Sequence, residues 1–334
     1  MIDRLALTVI ARFSDAVGVA SWSPDGEHLY VGTRAGDSVV MNLASQERRL
    51  GDHPFGVSTA QWSRRGAVLA VGGDDGVVVL WGPRQVEGDV CRLQHRAGIT
   101  ALAWRDDDVL AVAAGRDITL YDHRGQWLGE FPFRPSTVNA LCWAPAHGVA
   151  SLAAGTIGGI EWFSAGGPTA EPAAVDRDPG AVLTLELAPD GSALAAGDLS
   201  GEVRIAEFAS DEVIELCGYS DRVCCLAWSA GSDLLAVPSG DEITVWVVNQ
   251  SGFEPRPLLL RPEGDDVVLT AFSALGDRLA AADAAGRVGL WTPPAATMVA
   301  EAHLGAEVTA MAWHPAGTHL TVGTLDGHLR IAKT

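Results

Sequence analysis

Apolar and polar positions along this chain repeat with a long period built from short runs. Eight segments share one shape: VGVASW (17–22), VSTAQW (57–62), ITALAW (99–104), VNALCW (138–143), VLTLEL (182–187), VCCLAW (223–228), VVLTAF (267–272) and VTAMAW (308–313). Each opens on Val or Ile, and the sixth position is Trp in all but Leu187 and Phe272. The sixth positions lie 40, 42, 39, 44, 41, 44 and 41 residues apart. A Gly-containing turn follows most of them, such as SPDG, SRRG or HPAG, and then a short apolar run ending in small residues. A second tight turn leads to a β-branched run that often closes on an aromatic, as in GVVVLW (76–81) and RVGLW (287–291). A fourth, more variable strand completes the unit. Short alternating runs bounded by Gly, Asp and Pro predict strands, and a fixed period of this length predicts a repeat architecture.

Tryptophan placement checks the register. Of eleven Trp, six end a first strand and four end a third strand (Trp81, Trp162, Trp246 and Trp291), which leaves only Trp127 outside the pattern. The eighth unit stops after its third strand, at LRIAKT, and LALTVIARF (5–13) belongs to no other unit. This spare strand is expected to complete the last unit and close the ring, which leaves few exposed strand edges.

A period of 40–45 residues with four strands and these tryptophans resembles the WD-repeat (WD40) β-propeller family. The resemblance covers essentially the whole chain and implies an all-β fold: a single closed propeller of eight four-stranded blades over residues 1–334. Seven blades is the alternative; it requires blade 5 to be irregular, with Leu187 and Ala206 at its two Trp positions. The family's His–Asp–Trp network inside a blade is matched best by His53, Asp75 and Trp81 of blade 2. Blade 8 keeps His303 and Asp326, with Ala332 at the Trp position. In the family, the loops from fourth to first strand and from second to third strand form the usual contact face. Here the first set offers Phe55, Arg96, Arg134, Tyr219 and Arg222, and the second Arg34, Asp74, Arg116 and Leu325.

Charge narrows the partners. Forty-two acids against 23 bases give a net charge of −19, which disfavours nucleic acid and anionic membrane, since both select a basic face. The charge is skewed: residues 1–134 carry 14 bases and 17 acids, and residues 135–334 carry 9 and 25. No apolar run approaches the ~20 residues of a membrane span, and the N-terminus lacks the h-region of a signal peptide. Five cysteines without metal-type spacing point to a reducing cytoplasm.

The eight first strands, which border a propeller's channel, contain no His, Asp, Lys or Arg, and Glu186 is their one charge. Their polar groups are hydroxyls and amides, including Ser58, Thr100, Asn139 and Thr309. General acid–base work needs a titratable group beside the substrate, and a metal needs convergent ligands. The expectation is therefore no catalytic residue, no metal and no cofactor, with one or more proteins as partners. Two alternatives are a propeller enzyme or small-ligand binder with a site over the channel, and a purely structural subunit of a homo-oligomer.

Overall fold

The computed structural model describes residues 2–44, 46–83, 91–131, 136–145, 151–164, 174–177, 180–210, 212–249, 252–254, 256–262 and 264–334. The fold is an all-β propeller with eight four-stranded blades. Among the described residues there is no α-helix, only a 3-10 turn at Pro293–Ala295. The chain forms two compact units, residues 1–20 with 186–334, and residues 21–185.

Within the second unit, blade 2 shows the common plan. Val57–Trp62, Leu69–Gly73, Val77–Trp81 and Cys91–Gln94 pair antiparallel in sequence order. Second strands are made of small and β-branched residues because they are covered on both faces. Leu69–Gly73, Val109–Ala114 and Ser151–Thr156 are buried at every position. Their glycines receive the leading Val or Ile of the next blade. A Cβ on Gly32 would lie 2.7 Å from Val57 Cγ1, one on Gly72 2.6 Å from Ile99 Cγ2, and one on Gly155 2.6 Å from Val182 Cγ1.

First strands are also laced polar group to carbonyl. Trp62 Nε1 donates to Ser21 O at 3.2 Å, Trp104 Nε1 to Gln61 O at 3.1 Å and Trp143 Nε1 to Ala103 O at 3.1 Å. From the other end, Ser58 Oγ donates to Ile99 O at 2.7 Å, Thr100 Oγ1 to Val138 O at 2.6 Å and Asn139 Nδ2 to Val182 O at 2.9 Å. A buried Trp needs a partner for its N–H, and the preceding blade supplies one.

The first unit repeats these devices. Trp228 and Trp313 donate to Glu186 O (3.2 Å) and Ala271 O (3.0 Å). Thr309 Oγ1 donates to Val17 O at 2.6 Å, and a Cβ on Gly323 would clash with Val17 Cγ1 at 2.4 Å. The N-terminal strand closes blade 8 as expected: Leu7–Arg12 pairs antiparallel with His328–Lys333. An addition not anticipated is that Asp3–Arg4 pairs parallel with Thr297–His303 of blade 7, with Leu5 buried between the two segments.

Blade 6 departs from the plan. Its first strand is laddered only at Ala227–Trp228, and its third, Glu242–Asn249, pairs with Gly252–Phe253 and with Leu258–Leu260. Asp198 O takes the amide of Val223 at 2.9 Å, which ties down the entry to the unladdered stretch. Blade 5, where both Trp positions are lost, is nevertheless regular, with four paired strands.

Two outcomes test this account. Gly72→Ala should destabilise the protein by about 1–3 kcal/mol, as overpacking does, measured by urea unfolding. Deleting residues 1–12 should expose the edge of His328–Lys333 and the edge of Thr297–His303, and so produce oligomers in light scattering. A monomeric deletion variant with unchanged melting would contradict the closure.

Candidate functional site

The loops predicted to form the contact face are stitched side by side in the second unit. His53 N donates to Gly36 O at 3.0 Å, Asp74 N to Gly56 O at 3.1 Å, His95 N to Gly76 O at 2.8 Å and Val138 N to Gly115 O at 2.9 Å. Each bond joins a second-to-third-strand turn to the loop or strand beside it. Gly56 has φ of +105°, and a Cβ there would lie 2.6 Å from Arg34 O. Only glycine combines that conformation with so close an approach. Along this backbone rim Arg34, Phe55, Asp74, Arg96 and Arg116 are all exposed. Phe55 is 73% exposed, so it contributes little to the core. Arg134 lies outside the described residues.

In the first unit Arg222 is exposed and Leu325 is 45% exposed. Leu325 N donates to Glu307 O at 2.9 Å, the same turn-to-loop pairing. Tyr219 does not present its phenol to a partner. Its OH accepts from Trp246 Nε1 at 2.8 Å and hydrogen-bonds Thr244 Oγ1 at 3.0 Å. Burial pushes the phenol's pKa up. Tyr219 precedes Val223 by four residues, as His53 precedes Val57 and His95 precedes Ile99. That spacing marks it as blade 6's substitute for the network histidine.

The histidine network itself is partial. In blade 2 the fully buried His53 places Nδ1 3.1 Å from Asp75 Oδ1, and Asp75 also accepts from Val77 N at 3.0 Å. Trp81 is buried but its Nε1 has no hydrogen-bond partner among the described residues. Instead its ring packs edge-on against Trp62 at 5.9 Å and His28 at 5.7 Å. In blade 8 Asp326 pairs with His328 Nδ1 at 2.7 Å, while His303 is exposed. Asp326 lies two residues from His328, so the pair forms locally, within one turn.

Among the described residues, one group of three could converge on a metal, Asp25, Glu27 and His28. Asp25 is already engaged by Ser23 Oγ at 2.5 Å and Glu27 N at 3.0 Å, bonds that hold the turn. All five cysteines are free thiols, and burial pushes Cys225 up, away from thiolate chemistry.

Residues 44–82 and 296–332 match the family model described as WD domain, G-beta repeat. These contain the network residues of blades 2 and 8. The periodic tryptophan protein 2 homolog of Caenorhabditis elegans is 27% identical over 36% of this chain and 14% of its own length. Cell division cycle 20.1, cofactor of APC complex, of Arabidopsis thaliana is 26% identical over 71% of this chain and 55% of its own. Protein HIR1 of Cryptococcus neoformans is 25% identical over 65% of this chain and 25% of its own. The chain thus spans between about a seventh and just over half of these relatives. Among solved structures, the C-terminal WD40 domain of Sif2 superposes with a TM-score of 0.82 at 18% identity, over 100% of this chain and 99% of that one. The computationally designed Ika8 protein gives 0.77, also at 18% identity and over 98% of each chain.

Glu186 is the one charged side chain in the eight first-strand hexapeptides. It keeps accessible surface on Val182–Leu187 but is crowded by protein, and desolvation raises its carboxyl from 4.5 to about 7. Between those values the folded state holds more protons than the unfolded one, so stability falls as pH rises through the window. Glu186→Gln should flatten that fall and raise the denaturation midpoint at pH 8 relative to wild type, with little change at pH 4.5. Urea melts at the two pH values check this.

Proposed function

We propose that this chain, a member of the WD-repeat propeller family, is a non-catalytic platform that binds another protein through the rim carrying Arg34, Phe55 and Asp74. The observation that carries this reading is Phe55, a large apolar side chain held in solvent at 73% exposure by a loop stitched to its neighbours on both sides. An exposed aromatic on a backbone-bonded loop, with Arg34 and Asp74 on the turns bonded to either side, has the composition and low backbone ordering cost of an interface hot spot. The first strands support it from the other direction, because their polar groups Ser58, Thr100, Asn139 and Thr309 are spent on bonds between blades.

The whole chain serves as one propeller in this reading. The partner carries a basic surface that the acidity of residues 135–334, 9 bases against 25 acids, draws in. The proposed location is the cytoplasm, supported by five free cysteines. Among the described residues no helix is long and apolar enough to cross a membrane.

The test is capture from the native cell with wild type and two single variants. Phe55→Ala should lose the captured protein by about tenfold or more, as hot-spot truncation does. Leu43→Ala, also exposed but in the turn after the third strand of blade 1, should retain it. With the purified pair, the on-rate should fall as salt rises while the off-rate holds. Equal capture by the two variants would overturn the rim as the docking surface.

A further inference from the structure

Trp127, the one tryptophan outside the repeat register, lines a groove. It stands on the outer strand of blade 3, Trp127–Phe131, and is 63% exposed. The groove, of about 340 Å³, runs between the outer two strands of blade 3 and the end of blade 2's outer strand. Its walls carry Trp127, Tyr121, Asp117, Glu130 and His95, with Arg96 among the lining residues.

A backbone irregularity brings Trp127 there. Pairing runs Glu130↔Thr119 and Gly129↔Leu120, then jumps to Trp127↔Tyr121, so Leu128 is the extra residue of a bulge. In a regular ladder Leu128 would oppose Tyr121 and occupy the face that Thr119, Tyr121 and Glu130 share. The bulge puts Trp127 on that face instead. Bulges re-aim side chains at functional sites. Blade 7 has a bulge at the same point, but the residue it turns inward is Met298, which packs on that blade's core. Among the described residues, only in blade 3 does such a bulge deliver an aromatic to an open groove.

The chemistry of the walls selects a cation. Asp117 and Glu130 have no ion pair or side-chain hydrogen bond among the described residues. His95 packs edge-on to Tyr121 at 5.7 Å, and its Nε2 is buried without a partner. Burial lowers the pKa of His95, so at neutral pH the ring adds no positive charge. The remaining base is Arg96, exposed, against two carboxylates.

We propose that this groove takes an arginine side chain of a protein partner, its guanidinium stacked on Trp127 and paired with Glu130. A planar cation matches an indole face and a carboxylate together, which a compact ammonium does less well. The groove adjoins the rim, since Arg96 lines it and Asp117 follows the rim residue Arg116. It rests on the reading of the chain as a protein-binding platform and adds the chemical class of what is bound.

The experiment uses the full chain and a fluorescein-labelled pentapeptide with a central arginine, against the same peptide with citrulline, read by polarisation. The arginine peptide should bind at least about tenfold more tightly than the citrulline one. Trp127→Ala and Glu130→Gln should each weaken it by about five- to tenfold. Arg96→Ala should tighten it by about two- to fivefold, because it removes the like charge. Trp127 is exposed, so its variant should melt within a degree or two of wild type; if it does not, Glu130→Gln and Arg96→Ala carry the test. Equal binding of the two peptides, or unchanged binding by Trp127→Ala in a folded variant, would overturn the proposal. Phe55→Ala should leave peptide binding intact. Partner capture that depends on Phe55, with no binding of the arginine peptide, would overturn the groove alone and leave the platform reading standing.

Discussion

The closeness of approach between successive blades is the constraint on which the rest of this structure depends. A β-branched residue at the head of one first strand enters the space left by a glycine in the preceding blade's second strand, as Ile99 does at Gly72 and Val17 at Gly323. At such distances no second methyl group can be accommodated, and the second strands become dry on both faces. The N–H groups of Trp62, Trp104 and Trp143 and the hydroxyls of Ser58, Thr100 and Thr309 bond carbonyls on the adjoining first strand, although Ser58 and Thr100 keep exposed surface. Packing and hydrogen bonding thus enforce the same spacing.

That economy explains why the blade interiors can vary. In blade 8 Asp326 pairs with His328 within its own turn, whereas the His–Asp pair of blade 2 and the Tyr219–Trp246–Thr244 set of blade 6 are two solutions to one local problem. The problem is to anchor the loop that leads into a first strand. Neither is needed for the interblade contact itself. Blade 5 loses both of its tryptophan positions and still forms four paired strands, because Asn139 reaches Val182 O and Trp228 reaches Glu186 O.

Rigid blade contacts also set what the surface can do. Loops that are backbone-bonded to their neighbours hold side chains such as Phe55 in solvent with little freedom left to lose on binding. Irregularities in the outer strands, remote from those contacts, can be used for local shape, as the bulge at Leu128 is. The inner strands supply the spacing between blades.

The chain by itself pointed to eight blades over seven, to their strand order and to the closing role of residues 5–13. Those follow from a period in apolar residues and from the count of strands, both local in sequence. The resemblance to WD repeats pointed to His53 and Asp75, which lie 3.1 Å apart, and to Arg34, Phe55 and Asp74, which are exposed. Tertiary structure alone decided where polar groups on the first strands point. Ser58, Thr100 and Asn139 read only as polar groups bordering the channel, yet each bonds a carbonyl some forty residues away, a distance no local pattern encodes. Tyr219 read as a surface aromatic because a phenol suits either role. Its inward turn depends on Trp246 and Thr244 arriving from another strand. The parallel pairing of Asp3–Arg4 with blade 7 and the bulge that turns Trp127 into its groove were likewise invisible. Register and pairing depend on which strand comes to lie alongside, and a single residue of slip exchanges one face for the other.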